Sequence, residues 1–205
     1  MKVKDPNFVL EKIEKYIEED IRPSRVRAAV DIDNWKYFET SMDERIDDAY
    51  LPDYDDCWWQ DFKLWDTWGG YDKVAWFRTR IKVPEAFRGG QIALKFLVGP
   101  RDGGDSTAET LLYLDGKPIQ GIDIWHEEAL LETELCKEES FQISLKAWSG
   151  VLVPPKFRTF KLAQMLLLDM AVDKFCFVID TVRRCALLLD ENDLRRIRLT
   201  QLLNE

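Results

Sequence analysis

The middle of the chain alternates between apolar and polar residues. The alternation covers residues 74–83 and returns over 92–98 and 141–147. Successive side chains of a β-strand point to opposite faces, so each run predicts a strand with one buried face. The apolar run 157–169 predicts one further strand. Because glycine and proline punctuate these short runs, the pattern indicates an antiparallel β-sandwich or barrel rather than βαβ units.

Within this β-rich region, the stretch Leu111–Gln120 predicts a tight hairpin. Asp115 and Gly116 suit a type I′ turn, in which both central residues need a positive φ. Pro118 has no backbone N–H to donate, so the returning strand is expected at the edge of a sheet.

Both ends of the chain show the spacing of amphipathic helices instead. The apolar face near the N-terminus consists of Phe8 or Val9, Ile13, Ile17 and Ile21. The C-terminal stripe consists of Phe175, Val178 or Ile179, Val182, Ala186 and Leu189, and a last helix runs through Leu194, Ile197 and Leu202. We therefore expect a helical N-terminal segment over 1–50, a β-sandwich domain with an aromatic-rich lead-in over 51–169, and C-terminal helices over 170–205. Residues 30–50 carry weak signals and are expected to form loop or a short helix.

The lead-in to the sandwich is dense in aromatic residues, namely Tyr54, Trp58, Trp59, Phe62, Trp65, Trp68 and Tyr71. Two interpretations stay open. Either the rings cover one end of the sandwich and fix a long irregular segment, or some of them stay exposed as a platform on which a sugar stacks. The solvent exposure of the rings distinguishes the two interpretations.

The composition narrows the classes of function. The 205 residues are 46% hydrophobic and 33% charged, as in globular proteins. A net charge of −9 disfavours nucleic acid and anionic membranes as partners, and the Arg195–Arg198 cluster is interpreted as a solvated helix face. The four cysteines lack the C-x-x-C spacing of a zinc or redox site; Cys176 and Cys185 are expected to be buried thiols. No secretory or membrane-spanning segment is evident, so the expected location is the cytoplasm.

Residues with catalytic or metal-binding chemistry are sparse. His126 is the single histidine, and it lacks the second histidine that a zinc-binding helix requires. No nucleophile elbow, P-loop or dinucleotide fingerprint occurs, so we expect no catalytic residue and no metal ligand here. The stretch 120–126 is the candidate contact surface, in which Trp125 stacks on a sugar or protein partner and Asp123 and His126 hydrogen-bond it. The alternative is that Trp125 packs as an edge aromatic and His126 is solvated.

Two sequence blocks resemble a known family. The first is the strand Ala75–Pro84, in which a Trp-Phe-Arg run leads to a terminal proline. The second is the hairpin Asp115–Gly121, of the form Asp-Gly-x-Pro-x-Gln-Gly. Together they resemble the N-terminal non-catalytic region of glycoside hydrolase family 38 α-mannosidases, in their cytosolic and bacterial branch. The resemblance extends from Trp65 to the C-terminus, although only the two blocks are specific.

The resemblance implies a jelly-roll, galactose-binding-like β-sandwich flanked by N- and C-terminal α-helices. It implies that the chain is an accessory domain without catalytic activity of its own. The whole enzyme would be intracellular and would cleave terminal α-mannosides with retention. Such an enzyme binds a divalent metal, expected to be zinc, through a His-x-Asp pair of its catalytic domain. This chain has no such pair, so the metal would be held outside it. By the resemblance, the catalytic domain would begin near Glu205. The implied partners are that catalytic domain, mannose-containing oligosaccharides and a second copy of the chain. A carbohydrate-binding module and a protein-interaction or oligomerisation module stay open as alternatives.

Overall fold

The computed structural model describes residues 6–42, 44, 46, 48–99 and 108–205. The chain divides into two units. The β unit is Ala29–Leu167, and the helical unit combines the residues up to Ala28 with Leu168–Glu205. In sequence, the β unit is therefore an insertion between the two halves of the helical unit.

The described part of the chain forms twelve β-strands. They are β1 Val26–Asp31, β2 Trp35–Ser41, β3 Gln60–Phe62, β4 Thr67–Gly69, β5 Lys73–Lys82, β6 Gln91–Leu97, β7 Glu109–Leu114, β8 Lys117–Ile122, β9 Glu128–Leu130, β10 Ser140–Trp148, β11 Phe157–Thr159 and β12 Leu162–Leu168. These strands form a six-stranded sheet in the order β3-β2-β5-β10-β7-β8, a four-stranded sheet in the order β1-β12-β6-β9, and the pair β11-β4. The central pairings of the larger sheet are antiparallel. The predicted fold class, mainly β with antiparallel sheets and terminal helices, is confirmed.

An aromatic core lies between the two larger sheets. Trp35 of β2 packs against Phe96 of β6, with 6.3 Å between ring centroids, and against Phe160 at 5.3 Å. Phe77 of β5 contacts Phe160 at 5.1 Å. The alternating runs supply further buried residues, including Ile92, Leu94, Phe141, Ile143, Leu145 and Ala147. Removing this apolar surface from water is the main force that holds two such sheets together.

The outer face of the six-stranded sheet is buried too, which the alternation alone did not predict. Trp76 and Arg78 of β5 lie on that face, yet each is only 1% exposed. The aromatic lead-in covers them, and Trp59 packs with Trp76 in one cluster. The strand is therefore buried on both faces over most of its length.

Arg78 fastens the lead-in to the sheet. Its Nε donates to the carboxylate of Asp56 at 2.7 Å, and its Nη1 donates to the Leu51 carbonyl at 3.0 Å. The same nitrogen also donates to the Ala49 carbonyl and to the Ser144 hydroxyl. A buried guanidinium offers five N–H donors that need partners, and these groups supply them from the lead-in and from β10.

The structure differs from the expectation for residues 26–41. The N-terminal helix α1 covers Pro6–Tyr16 and continues through a π-helical turn, Ile17–Ile21, into the short helix α2, Arg22–Ser24. β1 and β2 follow, where loop or a short helix was expected. β1 is largely exposed, so it lacks an alternating signature, and β2 is fixed by its pairing with β5, which no local pattern reveals.

The predicted hairpin is confirmed. Asp115 and Gly116 have φ values of 45° and 81°, both positive as a type I′ turn requires. β8, which contains Pro118, lies at the edge of the six-stranded sheet. The Asp115 side chain also accepts a hydrogen bond from the backbone N–H of Gln142 at 2.9 Å, so the turn is tied to β10.

In the helical unit, α3 covers Met170–Leu187 and α4 covers Leu194–Asn204. Ile13 and Ile17 form a buried core with Cys176. The Asp169 side chain caps α3 by accepting hydrogen bonds from two backbone N–H groups at its start. No helix within the described residues is both long enough and apolar enough to cross a bilayer.

The predicted stripe on α3 is right in part. Ala186 is buried and Ile179 packs against the core that contains Cys176, whereas Phe175 and Val178 are exposed. Cys185 is exposed as well, so its expected burial was wrong. Arg196 of α4 is buried rather than solvated, because it donates to the carbonyl at the end of α3 and to the Asn7 side chain.

Candidate functional site

The three candidate contact residues lie in one turn of the β unit. β8 ends at Ile122 and β9 begins at Glu128. These are edge strands of the six-stranded and the four-stranded sheet, so the turn 123–127 connects one sheet to the other. The Gln120 side-chain amide donates to the Glu128 carbonyl at 2.9 Å, which holds the two ends of the turn together.

Asp123 organises this turn. Its Oδ1 accepts hydrogen bonds from the backbone N–H groups of Trp125 at 2.7 Å and His126 at 2.8 Å, and it lies 2.9 Å from Nδ1 of His126. Partial desolvation acts to raise the pKa of Asp123. The two backbone donors and His126 outweigh it and hold that pKa below its ordinary value. The carboxylate is therefore charged at neutral pH and fixes the imidazole beside it.

A concavity lies next to the turn, with a volume of about 440 Å³. It is lined by Glu109, Thr110, Gln120, Gly121, Ile122, Asp123 and His126. Trp125 stands between two of these residues in sequence and is 82% exposed. It does not pack as an edge aromatic, so that alternative is wrong, whereas His126 is solvated as the same alternative held.

The arrangement offers several hydrogen-bonding groups. Over the described residues, no group of three or more His, Cys, Asp or Glu side chains is placed to hold a metal ion. Among the residues that the structure describes, the lining of the concavity includes neither serine nor cysteine. What it provides is carboxylate, imidazole and amide groups beside an exposed indole, a combination that suits the binding of a polar ligand.

A comparison with family models decides the assignment of the fold. Residues 30–165 match the model described as Ams1-like, the jelly-roll domain of α-mannosidase. The chain belongs to this family. The match covers nearly all of the β unit, and with it both blocks that carried the resemblance. Among curated proteins, none matches the sequence.

Solved structures share the fold of this α-mannosidase jelly-roll domain. β-Glucuronidase 2 of Bacteroides uniformis matches 68% of this chain and 18% of its own, with 16% identity and a TM-score of 0.51. A glycosyl hydrolase family 2 member of Bacteroides cellulosilyticus matches 68% and 20%, with 12% identity and a TM-score of 0.50. The matched region thus spans at most a fifth of those chains. The family and this fold together support a glycosidase-associated accessory domain.

The aromatic lead-in of the jelly-roll domain divides between the two interpretations given to it. Trp59, Phe62 and Trp68 are buried, and they cover a face of the six-stranded sheet or join the core. Trp58 and Trp65 are largely exposed. Trp58 nevertheless packs edge-on against Phe38 and Trp59, so most of the cluster is structural and does not form an open platform.

The helical unit carries an apolar groove of about 570 Å³ near the end of α3. Its lining residues are Cys185, Leu188, Leu189, Arg195, Arg198, Leu199 and Leu202. Leu188 is 87% exposed, and Phe177 and Leu194 elsewhere on the same helices are also exposed. Such a surface is typical of a region that another protein surface covers.

Sequence reasoning found the turn of the jelly-roll domain but missed the concavity. Glu109 and Gln120 reach it from β7 and β8, and the pairing of these strands brings them together. Gln120 was visible as a polar residue in the edge strand of the predicted hairpin. No local sequence pattern indicated that Glu109 lines the concavity, because its position there depends on the register in which β7 pairs with β8.

Proposed function

We propose that this chain is a non-catalytic accessory domain of an α-mannosidase of glycoside hydrolase family 38. The observation that carries the proposal is the match of residues 30–165 to the α-mannosidase jelly-roll family. The sequence blocks Ala75–Pro84 and Asp115–Gly121 support the finer assignment to family 38, in its cytosolic and bacterial branch. The parent enzyme then hydrolyses terminal α-mannosides in the cytoplasm.

In this proposal, the chemistry belongs to residues outside this chain. A retaining glycosidase needs two carboxyl groups placed across the scissile bond, and the family-38 enzymes are expected to add a divalent metal, zinc. The described residues contain no cluster suited to such an ion. We therefore assign zinc and the nucleophile to a separate catalytic domain of the parent enzyme.

The helical unit is the part proposed to contact that catalytic domain. Its groove is lined mainly by leucine, and Arg195 and Arg198 are the charged residues of its lining. The solved glycosidases show this fold as a minor part of a longer chain, so further protein surface is present in such enzymes. Covering the leucines removes apolar surface from water, which stabilises the contact.

The test is an activity assay of the purified chain with aryl α-mannosides, alone and with added zinc, cobalt or calcium. We expect no turnover under any of these conditions. The same assay on the chain joined to the catalytic domain of the parent enzyme should give turnover. Metal-dependent hydrolysis by the chain alone, abolished by His126→Ala, would overturn the accessory role.

A further inference from the structure

We propose that the concavity beside the turn 123–127 binds a neutral sugar residue. In this proposal, Trp125 stacks on the apolar face of the sugar ring, while Asp123 and His126 hydrogen-bond its hydroxyl groups. The site lies wholly in the β unit and is distinct from the apolar groove of the helical unit.

The first argument is the exposure of Trp125. It has the highest exposed fraction of the tryptophans, at 82%, and within the described residues it makes no contact with another aromatic ring. Trp58, by contrast, is exposed but packs against Phe38 with 4.9 Å between centroids. An indole left in water beside a polar concavity gains apolar contact only when something binds there.

The second argument is that the turn is held rigid before any ligand arrives. The backbone N–H of Trp125 donates to the Asp123 carboxylate at 2.7 Å, which fixes the backbone that carries the indole. Gln120 donates across the turn to the Glu128 carbonyl. A preformed site loses less conformational entropy when it binds a ligand, so a weakly interacting ligand such as a single sugar residue can still be held.

The third argument is the chemistry of the lining. Asp123 and Glu109 are carboxylates, which accept hydrogen bonds strongly from hydroxyl groups. The same charges repel phosphate, sulfate and nucleic acid. Gln120 and His126 add further hydrogen-bonding groups. A ring with an apolar face and several hydroxyl donors fits this lining better than an anion or a purely apolar ligand.

The identity of the sugar rests on the proposed function, whereas the site does not. An accessory domain of an α-mannosidase would meet oligosaccharides with terminal α-mannose, so manno-oligosaccharides are the expected ligands. A different neutral sugar bound at the same place would support the site and contradict the mannose assignment.

The test is isothermal titration calorimetry of the whole chain, with mannobiose, cellobiose and lactose as separate probes. The key variant is Trp125→Ala, and Trp65→Ala is its matched control, because Trp65 is 68% exposed in the same unit but lies outside the turn 123–127. Asp123→Asn removes the charge and keeps an oxygen for the two backbone donors. Thermal melting of each variant checks the fold.

We expect mannobiose to bind and Trp125→Ala to weaken it roughly tenfold or more, the size of one lost stacking contact. The Trp65→Ala variant should bind mannobiose as tightly as the unsubstituted chain does. The Asp123→Asn variant should bind it several-fold more weakly, with an unchanged melting temperature. Binding of none of the three sugars, or equal binding by Trp125→Ala and the parent chain, would overturn the sugar site. Absence of sugar binding together with α-mannoside hydrolysis by the parent enzyme would refute the site and leave the proposed function standing.

Discussion

The β unit has a large buried aromatic core, whereas the helical unit has a small core and leaves many apolar side chains in contact with solvent. Trp35, Trp76 and Phe160 are almost completely buried in the β unit. In the helical unit, Leu188 and Leu194 are exposed, although they belong to the same class of residue. The β unit therefore has an extensive core of its own, although Trp58, Trp65 and Trp125 are exposed, and the core of the helical unit is smaller.

The two units also differ in charge. Basic and acidic side chains balance in the helical unit, so the whole net charge of −9 falls on the β unit. A charged surface keeps a protein soluble, and a neutral surface with exposed leucines favours association. The comparison leads us to expect that the β unit is the more stable part, and it agrees with the proposal that the helical unit contacts another protein surface.

The largest expected effect is on the β unit. Replacing Arg78 by methionine should lower the free energy of unfolding by about 3 kcal/mol, because it removes a buried cation and leaves Asp56 and several carbonyls without their donor. Urea denaturation followed by tryptophan fluorescence measures this directly, since all eight tryptophans belong to the β unit. The control is Arg80→Met on the same strand, where the side chain is exposed and the change should stay within about 0.5 kcal/mol. Equal midpoints would mean that Arg78 does not fasten the lead-in.

A substitution in the hairpin should destabilise the fold less. Gly116→Val should lower the free energy of unfolding by about 1–3 kcal/mol, because a β-branched residue is strained at a φ of 81°. Its Cβ would also lie 3.2 Å from Pro52 of the lead-in. Lys117→Ala is the matched control, since this exposed neighbour should change the free energy by at most about 0.5 kcal/mol. If both variants gave the same denaturation midpoint, the turn would not depend on a left-handed glycine.

In the helical unit, we expect an effect on association rather than on folding. We expect the chain alone to self-associate through the apolar groove, because its leucines are exposed. Changing Leu188 and Leu202 to glutamate should give a monomer by light scattering, with thermal melting nearly unchanged, because both side chains are exposed. Lys174→Glu adds charge to α3 outside the groove and serves as the control. Unfolding of the double variant would show that these leucines belong to the unit's own core.

The smallest effect concerns the start of α4. A side-chain hydrogen bond from Arg195, joined by its backbone N–H, lowers the pKa of Asp193 to about 2. The ordinary value of about 3.9 applies in the unfolded chain, so this stabilisation is complete above about pH 4 and is lost as the pH falls to about 2. The helical circular dichroism signal should therefore decline over that pH range in the unsubstituted chain, and it should decline less in the Asp193→Asn variant. Identical acid profiles would show that Asp193 does not contribute through its charge.

The sequence predicted the parts of the fold that depend on local pattern. The strands around Phe77, Phe96 and Leu145 follow from alternation, and the hairpin follows from the conformational needs of Asp115-Gly116. β1 and β2 were missed because their pairing with distant strands, and not their own sequence, makes them strands. The burial of Arg78 was missed for the same reason, since the lead-in that covers it is irregular.

The candidate site was predictable to a similar degree. Trp125, Asp123 and His126 stood out as adjacent residues with binding chemistry, and the structure places them in one turn. The hydrogen bonds from the backbone of the turn to Asp123 were not predictable, because the sequence does not reveal whether an aspartate side chain accepts such bonds or points into solvent. The contribution of Glu109 depends on the register of β7 and β8.

Hydrogen exchange measured by mass spectrometry on the intact chain tests the contrast between the two units most directly. Local stability sets the protection of each backbone amide. We expect β5 and β10 to exchange slowest, and α3 and α4 to exchange much faster. If the proposed function holds, adding the catalytic domain of the parent enzyme slows α3 and α4 selectively. Equal protection of the strands and helices in the chain alone, unchanged by that domain, would contradict the division into a self-sufficient β unit and a helical unit that needs a partner.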